Sequence, residues 1–305
     1  MPCRSVGRVA GNFYLLGLCH YPVYLLDGPC PAFFDGGTSS VGRLYVEEAR
    51  AILGEREPEY IFVTHAHWDH CGGVAHLKEA FPKMKIAAPN LSVQVLQKPS
   101  AVRLIDELSR EAWHSIRLYP EIDQSRLLDG SFHSFEVDIE LEDGQVFDLG
   151  GGSTVEVLAT PGHTRDSHSF YLPKEKIIIA GDSAGNYTNF GNMICEFLTD
   201  YRAYLATIEK LSSLPSEVYC QGHHIAHVGH EEIRTFFEDS MRESLGFKDY
   251  VLGLLDEENG SIEGAMRRIK AEKYDVLPHP KQQEMPYIIN MTARVKNLAE
   301  IRESL

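Results

Sequence analysis

The 305-residue chain reads as an α/β protein with strands and helices packed in layers. Three observations carry this. Short apolar segments rich in β-branched and aromatic residues alternate with stretches of helical periodicity. Residues able to ligate metals stand at the ends of several of those apolar segments. The composition, 43% hydrophobic and 24% charged, is that of a globular chain able to bury a sizeable core.

The elements follow in order. "NFYLLGL", "YPVYLLDG" and "PAFFDGG" read as strands split by Gly, Pro and Asp. A helix is expected over Leu44 to Leu53, then the strand "EYIFVTH", the helix "GGVAHLKEAF" and the strand "MKIAAP". Leu91 to Leu128 is expected to be helical, with Val93, Val95, Leu96, Val102, Ile105 and Leu108 at mixed helical spacing. Strands return with "HSFEVDIEL", "STVEVLATPGH", "HSFYLP", "KEKIIIAGD" and "VYCQG". After His230 the texture changes. Ile233, Phe236, Phe237 and Met241 share one helical face, as do Ile262, Ala265, Met266 and Ile269, and then Ile288, Met291 and Val295. The organisation expected is a unit over 1–230 with a helical insertion near 91–128, and a helical extension over 231–305 packed near the site.

Composition excludes some functions. A formal net charge of −15 opposes a grip on phosphate backbones, which needs clustered Lys and Arg, so no nucleic-acid partner is expected. The six cysteines, Cys3, Cys19, Cys30, Cys71, Cys195 and Cys220, form no C-x-x-C pair, which removes zinc ribbons and thioredoxin-like motifs. Their low density reads as a reducing compartment. Arg4 and Arg8 precede "NFYLLGLCHYPVYLL", but His20 and Pro22 break that apolar stretch and no small-residue cleavage site follows. No apolar run reaches membrane-spanning length. A cytoplasmic protein without a membrane partner is expected. A homo-oligomer is compatible with the sequence.

The chemistry concentrates in "VTHAHWDHCGG", Val63 to Gly73. His65 and His67 point the same way in an extended segment, and Asp69 and His70 follow at the entry to a helix. Neutral imidazoles and a carboxylate suit zinc, iron or manganese. Four ligands exceed what one open catalytic site uses, typically three, so two metals side by side are indicated. Further ligands should come from other strand ends. His163 in "LATPGHT", Asp182 closing "IIIAGD" and His223 after "VYCQG" stand in such places. The set is five histidines and two aspartates.

With these residues assembled, the sequence resembles the metallo-β-lactamase-fold hydrolases, in the branch that includes glyoxalase II. His65, His67, Asp69 and His70 meet the His-x-His-x-Asp-His signature. "PGHT", "GD" and "GH" follow in order, and Asp35 in "FFDGG" matches an early strand-end motif. The resemblance spans roughly residues 10 to 230. It implies a four-layer αβ/βα sandwich of two mixed sheets, with extra C-terminal helices added to it. It also implies that His65, His67 and His163 hold one divalent metal, that Asp69, His70 and His223 hold a second, and that Asp182 bridges them. Zinc is the first expectation, then iron or manganese. A hydroxide between the metals would attack a carbonyl carbon, with Asp69 steering it and Asp182 completing the catalytic pair. Lys98 to Glu111 and the helical tail are similar to the quinolone-signal response thioesterases of this superfamily. That shifts the expected substrate towards a small-molecule thioester, ester or lactone of a largely apolar acid. Persulfide dioxygenases, which share the fold but use one iron, are the rival enzyme reading. A regulator that keeps the metal site is the other rival.

Other residues read as ordinary. His20, His76, His114, His133, His227, His230 and His279 are taken as packed or surface histidines. In "GHH" the Gly-His context favours His223 as ligand, leaving His224 a pocket or supporting residue. His168 reads equally as a strand residue or a substrate contact. "GDSAG" matches a nucleophile elbow at Ser183, but a loop follows where that motif needs a helix. Tyr187, Phe190 and Met193 are candidate pocket residues.

Overall fold

The computed structural model describes residues 6–120, 122–188, 190–277 and 281–302. Cys3, Arg4 and His279 lie outside the described residues. The first sheet has seven strands in spatial order of sequence: β1 (Gly7–Ala10), β2 (Phe13–Leu18), β3 (Tyr21–Leu26), β4 (Ala32–Phe34), β5 (Tyr60–Phe62), β6 (Lys85–Pro89) and β7 (Ile139–Leu141). β1 to β4 pair antiparallel; β4 to β7 pair parallel. Each parallel step needs a crossover. These are α1 (Gly42–Leu53), then α2 (Trp68–Cys71) with α3 (Val74–Ala80), then α4 (Asn90–Leu96) with α5 (Pro99–Ile116).

The second sheet is built from β8 (Val146–Asp148), β9 (Thr154–Ala159), β10 (His168–Leu172) and β11 (Ile177–Gly181). A short hairpin, β12 (Asn186–Tyr187) and β13 (Met193–Ile194), and helix α6 (Tyr201–Ser212) separate these from β14 (Val218–Gln221) and β15 (Ala226–Val228). The spatial order is β15-β14-β11-β10-β9-β8, and β11–β14 is its parallel pair. Three helices complete the chain: α7 (His230–Glu257), α8 (Ile262–Ile269), which runs on into a π-helical turn, and α9 (Glu284–Arg302).

Strand alternation sets the layers. Phe13 and Leu15 of β2 join Phe34, Phe62, Val157, Phe170, Ile177 and Ile179 in an apolar layer between the sheets. Leu16 and Leu18, on the opposite face of β2, pack with Leu44, Tyr45 and Leu77 of the helices. On β11, Ile178 and Ala180 face a third layer with Tyr204, Ile208, Phe236, Val251 and Val295. The central strands of both sheets, such as β2, β3, β11 and β14, are therefore buried on both faces, as their near-continuous apolar sequences require. The result is the αβ/βα sandwich. Each fully buried Leu, Ile or Phe contributes about 1.5–3 kcal/mol to it.

Two elements differ from the sequence expectation. Helix over 91–128 is regular only to Ile116 and is split before Pro99, which opens α5 at a position where its missing N–H costs nothing. Beyond Arg117, Pro120 and Gly130 favour turns. "HSFEVDIEL" pairs as strand only over Ile139–Leu141. Upstream, the backbone bonds to helix and loop instead: Phe132 N–H donates to Asp106 Oδ1 at 2.9 Å and Leu128 N–H to Ser40 O at 2.9 Å. Helix α6 escaped the sequence reading although Tyr201, Tyr204, Ile208 and Leu211 are buried at helical spacing. Among the described residues no helix is long and apolar enough to cross a membrane.

Candidate metal centre

The seven sequence candidates converge on one edge of the sandwich. His65 and His67 leave the end of β5, and Asp69 and His70 lie in α2. His163 sits in the β9–β10 loop, Asp182 follows β11 and His223 follows β14. Two close packings make this geometry available. A Cβ on Gly73 would stand 2.3 Å from Gly36 O, and one on Gly222 would stand 2.0 Å from Asp182 Oδ1. The first lets "FFDGG" run against "HCGG", sealed by Gly36 N–H donating to His70 O at 2.6 Å. The second lets β14 deliver His223 beside Asp182.

The ligand atoms fall into two groups. One atom each from His65, His67, His163 and Asp182 lie within 4.8 Å of one another, as do atoms from Asp69, His70 and His223. Asp182 joins the groups. Its Oδ2 is 3.4 Å from His163 Nε2 and 3.4 Å from His70 Nε2, while its Oδ1 is 3.5 Å from His223 Nε2. Asp69 Oδ2 is 3.6 Å from His223 Nε2.

Outer partners decide which nitrogen each ring presents. His70 Nδ1–H donates to Asp35 Oδ2 at 2.8 Å, His163 Nδ1–H to Glu196 O at 2.6 Å and His223 Nδ1–H to His20 O at 2.7 Å. Thr64 Oγ1 donates to Asp35 at 3.0 Å, which leaves it to accept from His65 Nδ1–H at 3.0 Å. These four rings therefore turn Nε2 inward. His67 instead presents Nδ1, 3.2 Å from His163 Nε2. Nε2 of His65 and of His70 are buried without a hydrogen-bond partner among the described residues. Lone pairs aimed at a shared point, with two carboxylates among them, fit divalent metal ions.

Electrostatics agree. Burial pushes the His65 pKa well down and that of His67 down to about 4, so both rings are neutral and able to ligate. Burial opposes charge on His70 too, but Asp182 and Asp35 outweigh it and raise its pKa. For His223 the same contest, won by Asp182 and Asp69, lifts the pKa to about 9. The carboxylates thus create a demand for positive charge that protons meet when no cation does.

The structure also separates the ambiguous residues. His223 joins the cluster. His224, in a left-handed conformation at φ 67°, turns its ring edge-on to His20, with centroids 5.0 Å apart. His168 Nδ1–H donates to Asp166 O at 3.0 Å, and the ring lies outside the cavity over the cluster. Ser183 is buried and its hydroxyl is paired with Thr160 at 3.0 Å, so "GDSAG" builds no nucleophile elbow.

Three supporting residues escaped the sequence reading. Buried Asp166 accepts from Ala66 N–H at 2.9 Å and Ser92 Oγ–H at 2.7 Å, fixing the backbone between His65 and His67. Asn186 donates to Asp182 Oδ1 at 2.8 Å and accepts from His223 N–H at 3.2 Å. His20, read as an ordinary histidine, supplies the carbonyl that orients His223 and lines the cavity. Of the three, Asp166 alone carried a signal: an acid two residues past "PGHT", before a strand.

A cavity of about 890 Å³ opens over the cluster. Asp69, His163, Asp182 and His223 form part of its floor. Ile105 and Leu108 of α5 line one wall; Phe247, Tyr287 and Met291 of α7 and α9 line another. Tyr187, Phe190 and Met193 line it as well.

The Metallo-beta-lactamase superfamily profile matches residues 22–223, which contain all seven residues. The chain belongs to this superfamily. Among similar proteins, an atrochrysone carboxyl ACP thioesterase of Aspergillus fumigatus is 26% identical over 72% of this chain and 55% of its own length. A hydroxyacylglutathione hydrolase of Rhodopseudomonas palustris is 27% identical over 66% of this chain and 61% of its own length. The chain thus spans less than two thirds of the length of these curated relatives. A solved metallo-beta-lactamase family protein of Thermus thermophilus has a TM-score of 0.63 at 19% identity, covering 99% of this chain and 92% of that one. The two mixed sheets and helical layers are the superfamily's fold, and the His/Asp cluster fits a divalent-metal site.

Proposed function

We propose that this metallo-beta-lactamase superfamily member is a hydrolase that binds two divalent metals, zinc first among them, and cleaves a thioester, ester or lactone of a small molecule with a large apolar acyl part. The observation that carries the reading is Asp182 Oδ2, equidistant at 3.4 Å from a ligand nitrogen of each group. A carboxylate so placed serves two cations better than one. When bound, the metals supply a water acidified to nucleophilic strength and Lewis acids for the carbonyl oxygen. Asp182 would hold both metals, and Asp69 would steer that water and take up its proton. The outer partners of the histidines hold the ligand geometry through the reaction. The cavity walls exclude water and align the acyl chain, which is worth several kcal/mol when the reacting atoms are held close.

Support for the substrate class comes from three sides. The cavity volume suits a drug-sized ligand rather than a two-carbon acyl group. Leu104, Phe190, Val276 and Ile289 are exposed apolar residues that line this same cavity. The thioesterase and hydroxyacylglutathione hydrolase relatives carry acyl chemistry in their names.

The test is elemental analysis of freshly purified protein with a panel of thioesters, lactones and aryl esters of graded chain length. Two metals per chain and hydrolysis that improves with acyl size are expected. Asp182→Asn should lose more than about 100-fold in activity, beyond the cost of outer-partner changes. A single iron per chain with oxygen uptake would sink the hydrolase in favour of a dioxygenase.

A further inference from the structure

His163 takes its orientation from a segment with no regular structure. Residues 195–200 lie between β13 and α6, and Glu196 O accepts from His163 Nδ1–H at 2.6 Å. The same segment grips the His163 loop by its backbone: Leu198 N–H donates to Gly162 O at 3.1 Å and Thr199 N–H to Gly162 O at 3.1 Å. An irregular segment is only as rigid as its supports. One support is local, Glu196 N–H donating to Tyr204 Oη at 2.9 Å. Further supports come from the last helix, about a hundred residues away in sequence. Arg294 Nη1 donates to Cys195 O, and Asn297 Nδ2 donates to Thr199 O at 2.9 Å while its Oδ1 accepts from Tyr201 N–H at 2.9 Å.

Arg294 and Asn297 are three residues apart, hence on one face of α9. Arg294 is only 5% exposed, with its guanidinium over the Phe247 ring at 4.9 Å from the centroid. Burying a cation is costly, and here Cys195, through its hydrogen bonds, and the nearby Glu196 outweigh that cost and favour the charged form. Its Nη1 is anchored on a backbone carbonyl, one residue before the carbonyl that holds His163.

We infer that Arg294 and Asn297 of α9 are positioning residues for the metal centre, fixing His163 through the segment 195–200. The C-terminal helix is then part of the metal site and not only a cover over it. This rests on the metal reading of the site and is independent of hydrolysis.

The test reads metal binding. Arg294→Met, Arg294→Lys and Asn297→Ala are compared with the full-length protein by zinc competition against a chromophoric chelator and by the visible spectrum of the cobalt(II)-loaded protein. Ile269→Ala, in the same apolar layer on α8, controls for general destabilisation. Arg294→Met is expected to weaken one of the bound zinc ions by about tenfold or more and to shift the cobalt spectrum. Asn297→Ala should act in the same direction but less, and Arg294→Lys should recover part of the loss. Ile269→Ala should lower Tm and leave affinity and spectrum unchanged. The inference is overturned if Arg294→Met and Asn297→Ala bind metal as the parent does. It is also overturned if Ile269→Ala alters affinity as much at equal loss of Tm. A parent protein that takes up no metal overturns the centre itself, and is seen before any variant is compared.

Discussion

The peptide from Val63 to Gly73 and the helical cover from His230 to Arg302 border the same cavity, and they are held by different forces. In the peptide, polar bonds fix the geometry. Thr64 N–H donates to Asp35, Ala66 N–H to Asp166, and His70 and Cys71 N–H to His67 O at 3.0 and 2.9 Å. In the cover, α7, α8 and α9 meet through apolar faces. Most of its ion pairs, such as Arg268–Glu257 and Arg302–Asp256, are largely exposed, so solvent screens them and they add little. A polar network fails when one member is removed, because its partners stay buried and unpaired. An apolar interface tolerates volume-conserving swaps. The molecule therefore joins a ligand cluster that resists change to a cavity wall that accepts it. Arg294 and Asn297 are where the cover takes on the peptide's kind of bonding.

The largest test of this contrast is pH. In the metal-free protein the folded-state pKa of His223 stands at about 9, because Asp182 and Asp69 outweigh burial. Its value in the unfolded chain is about 6.5. A raised pKa contributes stability that is complete below about 6.5 and is lost as pH rises through about 9. A shift of this size corresponds to about 3 kcal/mol. Metal-free protein should thus lose Tm between pH 6.5 and 9, as His70 adds to the same slope. Metal-loaded protein should not. Equal slopes with and without metal would show that these histidines do not meet at a cation site. Next in size is Asp35→Asn. Asp35 sits at φ 59°, which asparagine tolerates, so the backbone is kept while the charge facing His70 is lost. Metal affinity should fall about 10–100-fold, with little change in the preference among acyl chains. A changed preference would mean that the two regions are not separable.

The same contrast explains what could be read from the sequence. Ligand geometry made by strand ends and a one-turn helix is local, so His65, His67, Asp69 and His70 declare themselves by spacing. His163, Asp182 and His223 declare themselves by the strand before and the glycine nearby. Sheet layers were legible because each apolar strand is buried on both faces. Residues that act through long-range bonds carry no such pattern. Asn186, the His20 carbonyl and Arg294 are joined to His223, His223 and Cys195 across 37, 203 and 99 positions, and nothing in the spacing of their neighbours marks them. The helix expected to Leu128 runs too long because apolar residues there pack from irregular backbone, as Tyr119, Ile122 and Leu127 do. Periodicity alone does not distinguish that from a helix.

The smallest expected effect probes the wall by itself. Leu108 lies on α5, lines the cavity and bonds to none of the seven cluster residues. Leu108→Trp fills space on the α5 side of the cavity. If an acyl chain lies along that wall, kcat/KM for a decanoyl thioester should fall about tenfold, the scale on which apolar pockets discriminate by size. A butanoyl thioester should change by less than about twofold, since short chains end before the wall. Metal content should match the parent. A parallel fall for both substrates would move the acyl chain off α5, towards Phe247 and Met291 of α7 and α9. A loss of metal would be more damaging, because it would make the apolar wall part of the network that the histidines and carboxylates otherwise maintain alone.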